Sequence, residues 1–287
     1  MRQNDSLAVV IVAKNEAARI ADCIASAKFA DEVLVLDSGS GDGTPEIAKA
    51  AGARVVVTDW PGYGPQVARG FSMATADWVL SLDADERIPP ALQAEVRAAI
   101  ASGRHDGYRI PRWSEFCGRV MRHGGWRPDH TLRLGRRARS GFTNDFLHAH
   151  MTVDGSIGEL NESLHHLSYP DLHDVLEKLD RYSTGSARDM QARGRSASLP
   201  KAIAHGLFAF VRTYLLKLGF LDGRHGLMLA IYNAEYAYYK YVKLMFIQSP
   251  PPQPEFASRT SCGSAAARTP RQHSSPPTCS SRAAGSS

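Results

Sequence analysis

The sequence predicts an α/β fold with a mostly parallel central sheet, and three observations carry that prediction. Short apolar runs rich in β-branched residues recur at 7–13, 33–36 and 55–57, each followed by a helical pattern. A further run, Trp78-Val79-Leu80-Ser81-Leu82, is apolar enough to be buried on both faces, as in a parallel sheet. The chain's 287 residues, 43% of them hydrophobic, suffice for one such domain with a sizeable core and an appendage.

Leu7-Ala8-Val9-Val10-Ile11-Val12-Ala13 reads as the first strand; it is too short and too soon followed by Lys14-Asn15-Glu16 to be a leader segment. A helix is predicted through Ala17, Ile20, Cys23, Ile24 and Ala27. Val33-Leu34-Val35-Leu36 forms the second strand and ends in Asp37-Ser38-Gly39-Ser40-Gly41-Asp42-Gly43-Thr44, a loop of turn formers. A helix from about Pro45 to Ala51 leads to the strand Val55-Val56-Val57. Alternation of strand and helix implies right-handed crossovers and parallel pairing. Pro61-Gly62-Tyr63-Gly64-Pro65-Gln66 is a turn entering a helix; its amides and Arg69 either face phosphates or belong to a plain connection.

The run from Trp78 ends in Asp83-Ala84-Asp85-Glu86, at the carboxyl edge where open α/β sheets bind ligands. In extended chain Asp83 and Asp85 point the same way. Two close carboxylates either share a hard divalent cation with a bound diphosphate, or cap the helix that starts near Pro89-Pro90. Lys14-Asn15-Glu16, Asp37-Ser38 and Asp83-Ala84-Asp85 all fall on that edge, and such crowding of acids is unfavourable unless something binds there. Asp37 can accept hydrogen bonds from a ribose or a base, or brace its own loop. The glycine run after it is neither a Walker loop nor G-x-G-x-x-G.

Residues 9–16 (VVIVAKNE), 35–44 (VLDSGSGDGT) and 78–86 (WVLSLDADE) together resemble glycosyltransferase family 2. Segments 106–112, 122–129 and 219–224 resemble one subgroup of it, which includes lipopolysaccharide-core β-1,4-glucosyltransferases, and the likeness spans roughly residues 5–247. The resemblance implies a nucleotide-diphospho-sugar transferase (GT-A type) fold, inverting chemistry, Mg²⁺ or Mn²⁺, and a UDP-glucose donor. By position it puts Ala13, Asn15 and Glu16 near the uridine and Asp37 on the base or ribose; Ser38, Gln66, Arg69 and Ala84 are expected in the same donor site. Asp83 then faces the ribose, and Asp85 the metal and diphosphate.

The acceptor side is expected between two strands, Tyr108-Arg109-Ile110 and Thr131-Leu132-Arg133-Leu134. The loop between them offers Trp126 as a flat face for a sugar, Arg127, and Asp129 as a base for the acceptor hydroxyl. The family's usual Glu-Asp pair is absent from the chain, so Asp129 is the candidate base; pairing with Arg127 or Arg133 is its structural alternative. In His148-Ala149-His150 the subgroup's Glu is replaced by Ala149; His148 and His150 would share a strand face and either bind metal or line the acceptor site, to which His148 is assigned, and Asp145 is a reserve base. His165, His166 and His173 are too irregularly spaced to be read as ligands. Arg133, Arg136, Arg137 and Arg139 are read as an acceptor-phosphate contact or a solvated face.

A helix is predicted over 171–190, and very apolar segments edged by Lys and Arg follow after Pro200 and from Leu227 to Ile247. Charges interrupt both, so they suit the membrane interface, packing on the catalytic domain or a dimer contact, not a span. From Ser249 the composition turns to Ser, Pro, Ala, Arg and Gly and predicts disorder. The expected organisation is a catalytic domain at 1–198, amphipathic helices at 199–248 and a tail at 249–287. The scattered Cys23, Cys117, Cys262 and Cys279 fit a reducing compartment, and the net charge of +5 suits nucleic acid, anionic lipid or acidic substrates without choosing among them. The expected protein is cytoplasmic and peripheral on the inner membrane, with a nucleotide-sugar donor, a lipid-linked glycan acceptor and no nucleic acid. The rivals are sugar transfer to polyprenyl phosphate and a catalytically silent nucleotide-sugar-binding protein.

Overall fold

The computed structural model describes residues 5–143 and 149–248. Strand β1 (Leu7–Ala13) is central, with β2 (Glu32–Asp37) on one side and β4 (Trp78–Asp83) on the other, and β3 (Arg54–Val57) outside β2, all parallel. Helices α1 (Ile20–Ala27), α2 (Thr44–Ala50) and α3 (Tyr63–Met73) make the crossovers. The alternation of β1 explains the layering. Leu7, Val9 and Ile11 pack with Ile20, Cys23 and Ile24 of α1, whereas Ala8 and Val10 pack with Val67 and Phe71 of α3. Helix α3 sits so close to β1 that a β-carbon at Gly70 would overlap Val10 Cγ1. Helix α1 starts three residues later than its apolar pattern suggests, because Glu16 O first accepts from the amides of both Arg19 and Ile20.

Beyond β4 the chain forms β5 (Glu86–Arg87), α4 (Pro90–Ser102), β6 (Gly107–Phe116), β7 (Arg119–Val120), β8 (His130–Arg136), β9 (Ser140–Phe142), β10 (Met151–Val153), β11 (Ile157–Glu159) and β12 (Leu164–Tyr169). The sheet runs β3-β2-β1-β4-β8-β6-β12-β5. Strand β8 pairs antiparallel with both β4 and β6, and β12 runs parallel to β6. This places the ends of β4, β8 and β12 around one cleft. Helix α5 (Leu172–Ala192) is capped by the Asp171 side chain, which accepts from Asp174 N at 2.9 Å. Helix α6 (Leu199–Val211), the irregular turns of 212–222 and α7 (Gly223–Gln248) complete the described chain. Val175 and Leu179 of α5 and Leu229 and Tyr232 of α7 seat these helices on Phe116 and Met121. Among the described residues no helix is long and apolar enough to cross a membrane. The tail expected to be disordered lies outside the described residues.

Candidate active site

Asp83 closes β4, and the chain then turns, so strict strand alternation does not relate it to Asp85; both nevertheless line one cavity of about 600 Å³. Asp83 is held on both oxygens. Its Oδ1 accepts from the Tyr63 hydroxyl at 2.6 Å, and its Oδ2 from Arg133 Nη2 at 2.7 Å. The same Nη2 lies 3.0 Å from Oε1 of Glu86, which is fully buried and accepts from the Asp83 amide through Oε2. Burial alone would raise the Asp83 carboxyl, but the Arg133 charge and hydrogen bond push it down to about 2. Burial raises Glu86.

Asp85 Oδ2 faces His166 Nε2 at 3.4 Å. Burial works against its charge, and His166 more than offsets this, so its carboxyl lies below the ordinary range. Nδ1 of His166 lies 2.9 Å from the Ser168 hydroxyl and 3.1 Å from that of Ser114. Sequence spacing alone does not mark His166; the parallel pairing of β12 with β6, opposite Ser114, brings it to the acidic turn. Asp129 and Trp126 stand on the same cavity with Arg112, Tyr169, Lys178 and Tyr182. Asp129 does pair with an arginine, but with Arg112, whose Nε and Nη2 reach its Oδ2 at 2.9 and 2.7 Å. Trp126 packs on Phe116 and Tyr169 with ring centroids 5.9 and 5.8 Å apart.

A second cavity, of about 880 Å³, shares Asp85, Lys178 and Tyr182 with the first and is lined by Asn15, Glu16 and Trp60. Its wall is stitched together. Asn15, in the left-handed region at φ 56°, donates its amide to Ser40 Oγ at 2.8 Å and accepts from the Gly41 amide at 3.0 Å. Burial raises the Glu16 carboxyl. Trp60, a large half-exposed ring in this cavity, is a site residue that the sequence reading missed.

Other expected donor residues lie behind this wall. Asp37 is fully buried and accepts from the Gly39 and Ser40 amides at 3.0 and 2.8 Å, the loop-bracing alternative. Ala13 O accepts from Ser38 N at 2.9 Å, and Ser38 Oγ accepts from buried Gln66 at 3.2 Å. Ala84 is buried, and its carbonyl accepts from Arg87. Arg69 lines neither cavity and pairs with Asp59 at 2.7 Å. Arg127 lies over the Trp113 ring at 4.7 Å, away from the cavity wall. Arg133, Arg136 and Arg139 are engaged by Asp83, Asp5 and Asp106. His148 and Asp145 lie outside the described residues.

The donor set can be tested against Mg²⁺ or Mn²⁺. Among the described residues no group of three or more His, Cys, Asp or Glu is placed to hold a metal. Asp83 is spent on Tyr63 and Arg133, which leaves Asp85 with His166. One or two protein ligands completed by substrate phosphates is how such cations sit in phosphate-handling enzymes, so the residues fit a substrate-dependent site.

Acids at the carboxyl edge of the sheet thus border two cavities that share Asp85, Lys178 and Tyr182. Comparison with known proteins gives the class. The chain belongs to glycosyl transferase family 2, whose profile matches residues 8–157. It is a glycosyltransferase of GT-A type fold. An uncharacterized glycosyltransferase of Rickettsia felis is 31% identical over 77% of this chain and 83% of its own length. The lipopolysaccharide core biosynthesis glycosyltransferase LpsC of Rhizobium meliloti is 27% identical over 83% of this chain and 91% of its own. A Mycobacterium tuberculosis glucosyl-3-phosphoglycerate synthase, solved with Mn²⁺, UDP and glucosyl-3-phosphoglycerate, is 30% identical over 39% of this chain and 44% of that one, at a TM-score of 0.34.

Proposed function

We propose that this enzyme moves a hexose, glucose from UDP-glucose, onto a lipid-linked glycan of the lipopolysaccharide-core kind, with inversion and with Mg²⁺ or Mn²⁺. The observation that carries the reading is Asp85, shared by both cavities, with His166 beside it and Asp129 and Trp126 on the acceptor side. The named core-biosynthesis relative supports the acceptor class.

In this reading Asn15, Glu16 and Trp60 hold the nucleotide half, and Lys178, which lines both cavities, adds positive charge beside the diphosphate. Asp85 and His166 would hold the cation, which supplies positive charge to the leaving diphosphate. Asp83 does not ligate; locked by Arg133 and Tyr63, it takes the ribose side and fixes the turn. The acceptor sugar lies on Trp126. Its hydroxyl oxygen forms the new bond to the anomeric carbon as the bond to the diphosphate oxygen breaks, and its proton passes to Asp129. Arg112 occupies Oδ2, and no protein group donates to Oδ1 among the described residues. The enzyme acts as a cytoplasmic protein on the inner face of the membrane.

The Arg112–Asp129 pair also favours a second reading, transfer to polyprenyl phosphate, because an anionic acceptor oxygen needs no base. A donor screen against extracted membrane glycolipid and against polyprenyl phosphate, with and without Mn²⁺ or Mg²⁺, tests both. Metal-dependent labelling of core glycolipid is expected; labelling of the lipid phosphate alone replaces the first reading with the second.

A further inference from the structure

Helix α6 inverts the usual surface pattern. It buries its small residues, Ala202 and Gly206, with Gly206 against the backbone of α7 at Ala234 and Tyr238. Its large apolar residues face outward: Ile203, Leu207 and Phe208 are 54%, 64% and 58% exposed. The connection to α7 continues the face through Leu216, at 67%, and Leu221, at 53%. A water-facing helix carries its polar residues outside, so this face is built to be covered. Its charges say by what. Residues 199–221 contain Lys201, Arg212 and Lys217, all exposed, and no Asp or Glu. A second copy of the same face would set like charges against each other, whereas an anionic lipid surface complements both the cations and the apolar side chains.

The face is continuous with the cleft. Lys217 O accepts from the Gly124 amide at 2.8 Å, and the buried carboxylate of Asp222 accepts from the amides of Arg122 and His123 at 3.1 and 2.7 Å. The segment between them thus grips the loop that places Gly125 and Trp126 on the acceptor cavity.

We propose that the outer face of α6 and the turn 212–221 docks in the interface of an anionic bilayer, and that this grip sets the acceptor cavity at the lipid surface. The proposal rests on the lipid-linked acceptor of the reading above and names the surface that meets the lipid. Cosedimentation of the full chain with vesicles tests it. Binding is expected to phosphatidylcholine vesicles containing phosphatidylglycerol, weak binding to phosphatidylcholine alone, and weakening with salt. Leu207→Ser with Leu216→Ser should lower the partition coefficient by at least about tenfold. Lys201→Gln and Arg212→Gln should each lower it by roughly fivefold. Circular dichroism and UDP titration should match the wild type for every variant. Wild-type protein left in the supernatant, or a leucine pair variant that sediments as well as wild type, overturns the proposal. So does a dimer in light scattering that the leucine pair disperses, since a second copy then covers the face. Loss of UDP binding with vesicle binding intact would instead count against the nucleotide-sugar reading.

Discussion

Arg133→Met tests the physical account of the acidic turn. Arg133 is 6% exposed, and its guanidinium bridges Asp83 and Glu86 at 2.7 and 3.0 Å, with the Tyr63 hydroxyl at 3.3 Å. Methionine fills most of the space and removes that cation, leaving the buried Glu86 carboxylate beside an Asp83 side chain that is 25% exposed. Removing one partner of a buried ion pair destabilises by about 3–5 kcal/mol. At about 2–4 °C per kcal/mol for a chain of this size, the melting temperature should fall by roughly 10 °C at neutral pH. The pH dependence has a definite sign. In the wild type the Asp83 carboxyl is pushed down to about 2, so its contribution is fully present above the ordinary value of 3.8 and is lost as pH falls through about 2. Glu86, raised by burial, acts in the opposite sense and trims that loss. In the variant both carboxyls lose the Arg133 charge, Glu86 keeping only Arg112 at 3.5 Å, and both take up protons at higher pH, so acid relieves the repulsion. The gap between variant and wild type should therefore narrow as pH falls from neutrality. Calorimetric melts across that range measure it. A gap below about 2 °C at neutral pH, or one that widens in acid, refutes the account.

Asp85→Asn should reduce turnover at least about a hundredfold and abolish the response to added Mn²⁺, as read by a metal titration of initial rates. Asp129→Asn should lower kcat by about 10²–10⁴-fold with donor KM unchanged if it takes the hydroxyl proton; unchanged kcat would transfer the case to the phosphate acceptor. Asp222→Asn weakens charge-assisted bonds worth about 1.5–3 kcal/mol, so acceptor KM should rise while UDP affinity in calorimetry holds.

The parallel half of the sheet was legible because β1, β2 and β4 are apolar runs whose burial on both faces leaves few alternatives. The acids at their ends were legible for the same reason: a buried strand that stops in Asp83-Ala84-Asp85 must stop at an edge. What each acid does there was not. Arg133 lies fifty residues beyond Asp83 in sequence and reaches it only because β8 inserts antiparallel beside β4. His166 looked unremarkable in a line of irregular histidines, since its position depends on the register of β12 against β6. The apolar character of 199–221 could be read from composition, but not which of its residues turn outward, because Ala202 and Gly206 reveal their role only once α7 lies against them.

The exchange between Asn15 and the loop at Ser40 and Gly41 bears on the thermodynamics of donor capture. Fixing a backbone residue forfeits about 1–2 kcal/mol of chain entropy. Here two neighbouring loops have already surrendered that freedom to each other before any nucleotide arrives. Under the donor assignment proposed above, a nucleotide would meet a surface that is already set, and its affinity would be drawn from its own contacts rather than diminished by tidying the host.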